Sequence, residues 1–457
     1  MGTVGRLRTW FGSPVGAIVL LLLVLAGPVV QEYGPQSSSR FTFTGALVDD
    51  GTIRLDGQLE SLGVDRIEHE GHTYSDKSPG QPFLAVPFYV AARAIGADPS
   101  SELNIKHNLG VWWLAMWFSI IPAVVIVVLT TRVARPIGEL PAVLGAASLA
   151  FGWLLLPYSV QLYAHLFVAV LGYAAWLLLR DSRGGWRAYA AGAALGLAVV
   201  TEYQMVLVLG VLGGWLVLHR RWGDLVRVGV AGLPFAALLG WYQWAIFGDP
   251  FQSTYGTKSL PHGGKPTPSG FAELLVGTRG FVLYTPIVVV ALAGMVRLAR
   301  RGTTLRADAL VGLAIALAFV VLISGWRNAW GGDEPGPRYM IPALPFLVVG
   351  AAEAWRWVLA RSGWLPYVRV AAIWSVVNMV GPLVTPHLIP HGTTLVRAWA
   401  SRLAHGEVVP TLWTMWLGPL GWIPHLLLVA LAFTVAVNAL RLAPRGSRRA
   451  ERLTASE

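Results

Sequence analysis

The sequence contains no cysteine, which excludes disulfide bonds and thiolate chemistry from all 457 residues. Charged residues are also scarce: they make up 13% of the chain, whereas soluble domains carry roughly 25%. Lysine occurs only 4 times, against 31 arginines. These deficits exclude an ordinary soluble globular protein and favour a membrane protein, in agreement with a hydrophobic content of 55%.

Apolar runs fill most of the chain, and most of them approach the roughly 20 residues that a helix needs to cross a bilayer. We identify twelve runs, so the sequence predicts an all-α integral membrane protein with about twelve transmembrane helices. The two shortest runs meet at the polar triplet 201–203 and are interpreted as a hairpin. The runs lie near residues 14–30, 109–131, 139–156, 162–179, 188–201, 203–218, 228–246, 280–298, 308–324, 340–359, 366–386 and 412–440.

The first run follows Arg6 and Arg8 and lacks a clean small-residue cleavage site, which favours a retained helix over a signal peptide. An even number of spans then places both termini in the cytoplasm. The predicted organisation is a cytoplasmic N-terminus (1–13), one transmembrane domain (14–440) with a long outer loop (33–107), and a basic cytoplasmic tail (441–457).

Basic residues are distributed unevenly across this topology. The predicted inner segments hold 22 of the 35 basic residues but only 7 of the 24 acidic residues. Because Lys and Arg collect on the cytoplasmic side, this asymmetry supports a multi-pass protein of the bacterial plasma membrane in the stated orientation. It also accounts for the net charge of +11, so a nucleic-acid partner is not implied.

The predicted outer loops are long and rich in polar residues, whereas the inner loops are short. They cover residues 33–107, 247–278, 325–339 and 387–411. Long loops in compact proteins are usually functional. Any chemistry is therefore expected on the extracytoplasmic face.

A charged pair and a tight turn stand in the middle of the first outer loop. Asp76 and Lys77 precede a Ser-Pro-Gly sequence, and the apolar, aromatic stretch that follows predicts a helix from about Pro82 to Ile95 in the membrane surface. Such a segment could hold a polar headgroup next to a lipid tail. A solvated loop that re-enters an interfacial helix explains the same residues equally well.

Two further carboxylates, Asp49 and Asp50, precede Gly51 at the end of a predicted helix over about 40–51. A helix end explains the glycine. It does not explain the acids, because the helix dipole disfavours negative charge at that end. The pair is therefore a candidate functional site.

Polar side chains also stand at the ends of later spans. His165 lies just inside the fourth span, where a packing role is more common than a ligand role. Glu202 lies at the tip of the predicted hairpin and could simply be solvated. Arg338 follows a Gly/Pro-rich segment, where a phosphate-binding guanidinium and a salt-bridged turn are equally good interpretations.

An ordered set of short motifs resembles the GT-C superfamily of membrane glycosyltransferases, in particular the protein O-mannosyltransferase and aminoarabinose-transferase branch. The resemblance covers roughly residues 14–360, and its specificity comes from the order of motifs that are individually weak. The motifs are Gly-x-x-Tyr-x-x-Lys-x-Pro at 71–79, YSDKSPG at 74–80, a Tyr and a His near 162–165, Glu-Tyr at 202–203, FGDP at 247–250, RGFVLYTP at 279–286 and WGGDEPGPRY at 330–339.

This resemblance implies sugar transfer from a polyprenyl-phosphate donor to an extracytoplasmic acceptor hydroxyl, with inversion, in the assembly of an envelope glycan or glycolipid. The implied partners are the bilayer, the lipid-linked donor, and a glycan, lipid or protein acceptor. The implied roles are the base for Asp49, Asp50 or Asp76; phosphate binding for Lys77 and Arg338, helped by His165 and Arg279; and the sugar or acceptor cavity for Tyr74, Tyr158, Glu202, Trp330 and Asp333.

The chain departs from the family's pattern after its first helix, where an acidic pair is usual but residues 31–40 read QEYGPQSSSR. Glu32 is the only acid there and stays an alternative base. Paired carboxylates could hold a divalent cation, although no ligand spacing requires one. The competing function is a lipid or solute transporter or flippase, whose usual signs are mid-membrane charges and paired repeats. Arabinose or mannose on decaprenyl or undecaprenyl phosphate are candidate donors.

Overall fold

A computed structural model gives the structure of the chain. It describes residues 12–57, 65–94, 109–181, 184–255, 265–326, 329 and 331–443. These residues are almost entirely α-helical, as the sequence predicts. The predicted N-terminal segment 1–13 and the basic tail 441–457 lie largely outside the described residues.

Long apolar stretches form the helices, and Gly, Pro and polar residues separate them. A 3₁₀ helix, Arg338–Leu347, comes directly before the helix Val348–Leu359. The helices are α1 (Pro14–Ala26), α2 (Pro35–Gly45), α3 (Gly80–Ala94), α4 (Leu109–Ile137), α5 (Glu139–Gly152), α6 (Leu155–Tyr158), α7 (His165–Arg180), α8 (Trp186–Thr201), α9 (Tyr203–Leu218), α10 (Trp222–Phe247), α11 (Pro268–Val276), α12 (Phe281–Tyr284), α13 (Ile287–Arg300), α14 (Arg306–Ser324), α15 (Val348–Leu359), α16 (Ser362–Val384), α17 (Leu395–Ala404) and α18 (Leu412–Leu442).

Five of these helices, α4, α10, α14, α16 and α18, are long and apolar enough to cross a membrane. A sixth span results if Pro268–Tyr284 and Ile287–Arg300, which meet at 91°, are counted as one broken span. The helices α1, α5, α7 and α9 are apolar but shorter. The structure therefore identifies an all-α, multi-pass membrane protein, and the number of twelve spans stays a prediction.

Close helix packing in the bundle depends on small residues, as is common where lipid surrounds the helices. On α13, a Cβ added to Gly294 would lie 1.9 Å from the carbonyl oxygen of Gly350 on α15. A Cβ on Gly350 would in turn lie 2.3 Å from the carbonyl oxygen of Ala291. The two backbones therefore touch, and no larger residue fits at either glycine.

The described part of the predicted first outer loop contains two helices and a hairpin. The helix α2 starts at Pro35 rather than near residue 40, and a π-helical turn, Ala46–Asp50, extends it. It ends at Gly51 with φ 65°, as the sequence predicts. The helix α3 lies close to its predicted position, and its place in the membrane surface stays a prediction.

A short antiparallel hairpin, β1 (Arg66–His69) and β2 (His72–Ser75), lies between α2 and α3. Its register pairs Arg66 with Ser75 and His69 with His72. The hairpin was not predicted, because strands of four residues carry too little alternation to be recognised in a sequence. The hairpin delivers the chain to Asp76 and Lys77.

Several helix ends meet in one polar layer, which we call the loop layer; its members are the segments 28–57, 65–80, 153–164, 201–205, 247–255, 277–286, 329–338 and 385–411. Direct hydrogen bonds join them. The amide of Val30 donates to the carbonyl of Pro410 at 2.9 Å. The amide of Ile389 donates to the backbone carbonyl of Asp333 at 3.0 Å. Every polar residue predicted for the site, where described, lies in this layer or at the helix ends that border it.

Candidate active site

Lys77 is a buried cation just before α3. Its side chain is 6% exposed, and its Nζ lies 3.3 Å from an Asp65 carboxylate oxygen and 3.0 Å from one of Asp76. The ring of Tyr255 lies 5.5 Å from the same atom. Burial would lower the pKa of Lys77, but the two carboxylates outweigh burial and raise the pKa above its usual range. The side chain is therefore a cation at neutral pH.

The backbone around Lys77 is held by the neighbouring strand and loop. The Lys77 amide donates to the Ser75 hydroxyl at 3.1 Å, which is itself paired with the Ser39 hydroxyl at 2.7 Å. The hydroxyl of Thr254 donates to the Asp76 carbonyl at 3.1 Å. Segments far apart in the chain thus fix one buried lysine.

The glycine that follows, Gly80, brings this segment against the α8–α9 junction. A Cβ at Gly80 would lie 2.9 Å from the Thr201 backbone nitrogen and 2.4 Å from its hydroxyl. Because real Cβ atoms do not approach so closely, the contact requires glycine. It positions Lys77 near the residue that follows Thr201, which is Glu202.

Glu202 is buried between two basic groups. Arg40 Nη2 donates to Glu202 Oε1 at 2.5 Å, and His165 Nδ1 lies 3.7 Å from the same oxygen. The interpretation of Glu202 as a simply solvated residue is wrong, since the residue is 2% exposed. A buried carboxylate costs free energy unless it is paired, and Arg40 provides the pairing.

Arg338 forms a second buried ion pair at the start of the 3₁₀ helix. Its Nη1 lies 3.2 Å from Glu334 Oε1. The guanidinium stacks on the rings of Tyr163 and Tyr339, at 5.4 and 5.1 Å from their centroids. The Tyr163 hydroxyl donates to the same carboxylate, and His387 Nε2 lies 3.4 Å from its other oxygen.

These groups form one site, which we call the cation cluster: Arg40, Lys77 and Arg338. Electrostatic interactions join all three cations to His165 and to Glu202. Nε and Nη1 of Arg40, and Nε of Arg338, are buried and have no hydrogen-bond partner within the described part of the chain. The cluster thus presents three unused cationic N–H donors.

The predicted bases fall in different places. Asp76 contacts Lys77 in the cation cluster. Asp49 accepts a hydrogen bond from the Tyr89 hydroxyl at 2.8 Å and another from Arg93, and Asp50 is exposed. The structure therefore brings Asp76, but neither residue of the pair, into contact with Lys77.

Glu32, the alternative base, lies elsewhere in the loop layer. It is half-buried and interacts electrostatically with Arg402. Arg402 donates to the backbone carbonyl of Pro386. Glu32 is thus associated with the segment before α17.

Arg279, expected to assist at the phosphate, holds loops together. Its guanidinium donates to the carbonyls of Gly332, of Ile389 at 2.9 Å and of Pro390 at 3.0 Å. Its nearest acid is Asp333, at 3.8 Å. Arg279 therefore joins the segments that carry Gly332 and Ile389.

The aromatic residues predicted for the sugar cavity separate into two groups. Tyr158 borders the cluster, with its ring centroid 6.5 Å from that of His165. Tyr74 lies in an apolar group with Phe43 and Tyr242. Trp330 lies outside the described residues.

Sequence reasoning missed Arg40, Asp65 and Glu334. Arg40 is the one charged residue within the polar segment 34–48, which is the signal that could have identified it. Asp65 and Glu334 carry no motif signal of their own, and only their contacts with Lys77 and Arg338 give them importance. No group of three or more His, Cys, Asp or Glu side chains suited to a metal ion occurs among the described residues.

A helical bundle with several apolar spans and a buried polar layer defines a class of protein, the multi-pass membrane proteins. The structure of ArnT from Cupriavidus metallidurans in the apo state is similar, with a TM-score of 0.52, 17% identity, and coverage of 93% of this chain and 74% of ArnT. No family model matches the chain, and no curated protein sequence does either. The structural likeness therefore carries the assignment of the fold.

Two structures of the oligosaccharyltransferase from Archaeoglobus fulgidus are similar as well. The complex with zinc and sulfate gives a TM-score of 0.53 at 15% identity, covering 83% of this chain and 54% of that one. The AglB complex with an inhibitory peptide and a dolichol-phosphate gives 0.53 at 12% identity, covering 84% and 57%. The chain thus spans just over half the length of AglB. The fold of this chain is therefore similar to the folds of ArnT and of the archaeal oligosaccharyltransferase.

Proposed function

We propose that the protein is a membrane glycosyltransferase that moves a sugar from a polyprenyl-phosphate donor to an acceptor hydroxyl. The observation that carries this proposal is the buried Lys77, which is held between two carboxylates. Like Lys77, Arg40 and Arg338 interact electrostatically with His165. A buried cation cluster in a membrane protein is costly and marks a functional site. Its chemistry suits an anionic lipid headgroup.

The unused N–H donors of the cluster favour a phosphate as its ligand. A buried donor without a partner costs about 1–3 kcal/mol, and Arg40 and Arg338 together have three such nitrogens. A phosphate offers several acceptor oxygens in a geometry that the guanidinium fork matches. The ammonium of Lys77 would add a third contact.

In this proposal the cluster stabilises the leaving group. The negative charge on the phosphate grows as its bond to the anomeric carbon breaks, and fixed cations stabilise that charge most strongly in a buried site. One displacement inverts the anomeric centre. Asp76 lies on the leaving-group side, because it contacts Lys77 at 3.0 Å.

We also propose that the loop layer lies on the extracytoplasmic side of the membrane. The excess of basic residues in the predicted inner segments supports an extracytoplasmic loop layer with both termini in the cytoplasm. The apolar surface of the bundle beside that layer suits a donor whose isoprenoid tail stays in the bilayer. The acceptor would belong to the envelope, as glycan, lipid or protein.

The test uses purified protein and a panel of donors that includes undecaprenyl-phosphate mannose and decaprenyl-phosphate arabinose, with membranes as the source of acceptor. Release of the polyprenyl phosphate measures transfer. We expect Lys77→Ala to lower turnover by at least about 10²-fold, as loss of one charge-stabilising donor does. Lys265→Ala removes an exposed lysine and serves as the matched control.

Normal turnover by a folded Lys77→Ala protein would remove Lys77 from the mechanism. Transport of the intact donor across vesicles without cleavage would instead favour the competing flippase function. If the wild type neither cleaves nor binds any donor of the panel, the proposed function is wrong for these lipids.

A further inference from the structure

His165 lies beside Glu202 and lacks the contacts that a buried histidine usually has. It begins α7 and is 0% exposed. Neither ring nitrogen has a hydrogen-bond partner among the residues that the structure describes. Since the large majority of buried polar side-chain atoms are hydrogen-bonded, this histidine requires an explanation.

The surroundings of His165 disfavour a role as another phosphate-binding cation. Three permanent cations already interact with it, and a further positive charge among them would be repelled. The neutral imidazole offers what the cations lack, a nitrogen lone pair. Its Nδ1 lies towards Glu202, at 3.7 Å from Oε1, which leaves Nε2 for a ligand.

The geometry of an inverting transfer also separates the base from the leaving group. The attacking oxygen must enter opposite the phosphate, and in inverting glycosidases the two working carboxyl groups stand about 6.5–9.5 Å apart. Asp76 contacts Lys77 directly, so it belongs to the phosphate side. His165 meets Lys77 only through a longer-range charge interaction.

We propose that His165 is the general base of the transfer and that Glu202 is its positioning residue; this inference rests on the proposed function. The hydroxyl proton of the acceptor passes to Nε2 of His165, while the acceptor oxygen bonds to the anomeric carbon. The bond from that carbon to the phosphate oxygen breaks, and its electron pair leaves with the polyprenyl phosphate. The imidazolium is stabilised by Glu202 and by the leaving phosphate, whose negative charge offsets the three cations in the reacting complex, and it later returns its proton to water.

The distance from His165 to Glu202 fits this order of events. At 3.7 Å the two groups are too far apart for a hydrogen bond. Catalytic hydrogen bonds are commonly long before the substrate binds and shorten in the reacting complex. Arg40, bonded to the same carboxylate oxygen at 2.5 Å, holds Glu202 in place.

The test compares His165→Gln with Lys77→Ala and with His425→Gln. His425 is a matched control, because it is also buried and has an unpartnered Nδ1 within the described structure, but lies on α18. Donor turnover is measured against pH, and affinity is measured with undecaprenyl phosphate as the probe. The charged and titratable groups that face His165 are Glu202, Arg40, Lys77, Arg338, Tyr158, Tyr163 and Tyr339.

We expect His165→Gln to lower turnover by about 10²–10⁴-fold, the usual contribution of a general base, with the affinity for undecaprenyl phosphate unchanged. Lys77→Ala should weaken that affinity, and His425→Gln should change neither quantity. Turnover of the wild type should rise with pH as the base loses its proton, and His165→Gln should lose this rise. Added imidazole should restore part of the turnover of His165→Ala.

Three results would overturn the assignment. One is a His165→Gln protein that has the turnover and the pH profile of the wild type. Another is a loss of undecaprenyl phosphate affinity as large as that of Lys77→Ala with little effect on maximal turnover, which would make His165 a phosphate ligand. The third is the absence of rescue by imidazole in a folded His165→Ala protein. A wild type that cleaves no donor overturns the proposed function itself, and the base with it.

Discussion

The contact of Gly80 with Thr201 makes a strong prediction about positioning. In Gly80→Ala, the new Cβ would lie 2.9 Å from the Thr201 Cα and nitrogen. Apolar atoms prefer separations of about 3.5–4.0 Å, so the segment carrying Lys77 must move by roughly 0.6–1 Å. Overpacking of this kind costs about 1–3 kcal/mol.

A displacement of that size affects catalysis as well as folding. Misplacing a reacting group by about 1 Å can cost roughly 10²-fold in rate. We therefore expect Gly80→Ala to lower donor turnover by about 10–100-fold with a small fall in Tm. The assay is polyprenyl phosphate release in detergent or nanodiscs, beside a thermal melt of the same preparation.

The matched control is Gly210→Ala on α9, a helical glycine where an added Cβ meets nothing within 4 Å. It should keep wild-type turnover, and its Tm should not fall. Equal turnover in Gly80→Ala and Gly210→Ala would refute the reasoning, because the position of Lys77 would then not depend on the glycine contact.

Two further predictions concern the charges of the cluster. Asp65→Asn combined with Asp76→Asn removes the two largest interactions that raise the pKa of Lys77, so that burial lowers this pKa. The affinity for undecaprenyl phosphate should then fall as the pH rises from about 7 to about 9. A pH dependence like that of the wild type would contradict this prediction. Arg338→Lys loses the planar fork and the ring stacking, so it should weaken the same affinity by about 10-fold. The exposed Arg397→Lys is its control, and equal affinities would show that only the charge matters.

The motifs alone did not determine which acids lie close to Lys77. The acids nominated from the sequence were Asp49, Asp50 and Asp76, with Glu32 as the alternative, because the acidic pair that the resemblance implies directly after the first helix is missing here. The fold pairs Asp49 with Tyr89 and Arg93 and leaves Asp50 exposed. Activity measurements on Asp49→Asn and Asp76→Asn would show whether either residue serves in the reaction.

The sequence by itself determined the class of architecture. A bilayer is crossed by apolar helices or by closed barrels, so the long apolar runs predicted an all-α membrane protein, and the order of short motifs indicated a fold that the similarity to ArnT supports. The end of α2 at Gly51 was also readable, because glycine tolerates a positive φ.

Only the tertiary structure decided which charges share a site. Arg40, Lys77, Glu202 and Arg338 are far apart in the chain, and no local pattern encodes the pairing of Arg40 with Glu202 across 162 positions. Such pairs follow from how helix ends meet in the loop layer, where a glycine contact and buried ion pairs fix the geometry. The chemistry of each side chain was visible in the sequence, but its partner was not.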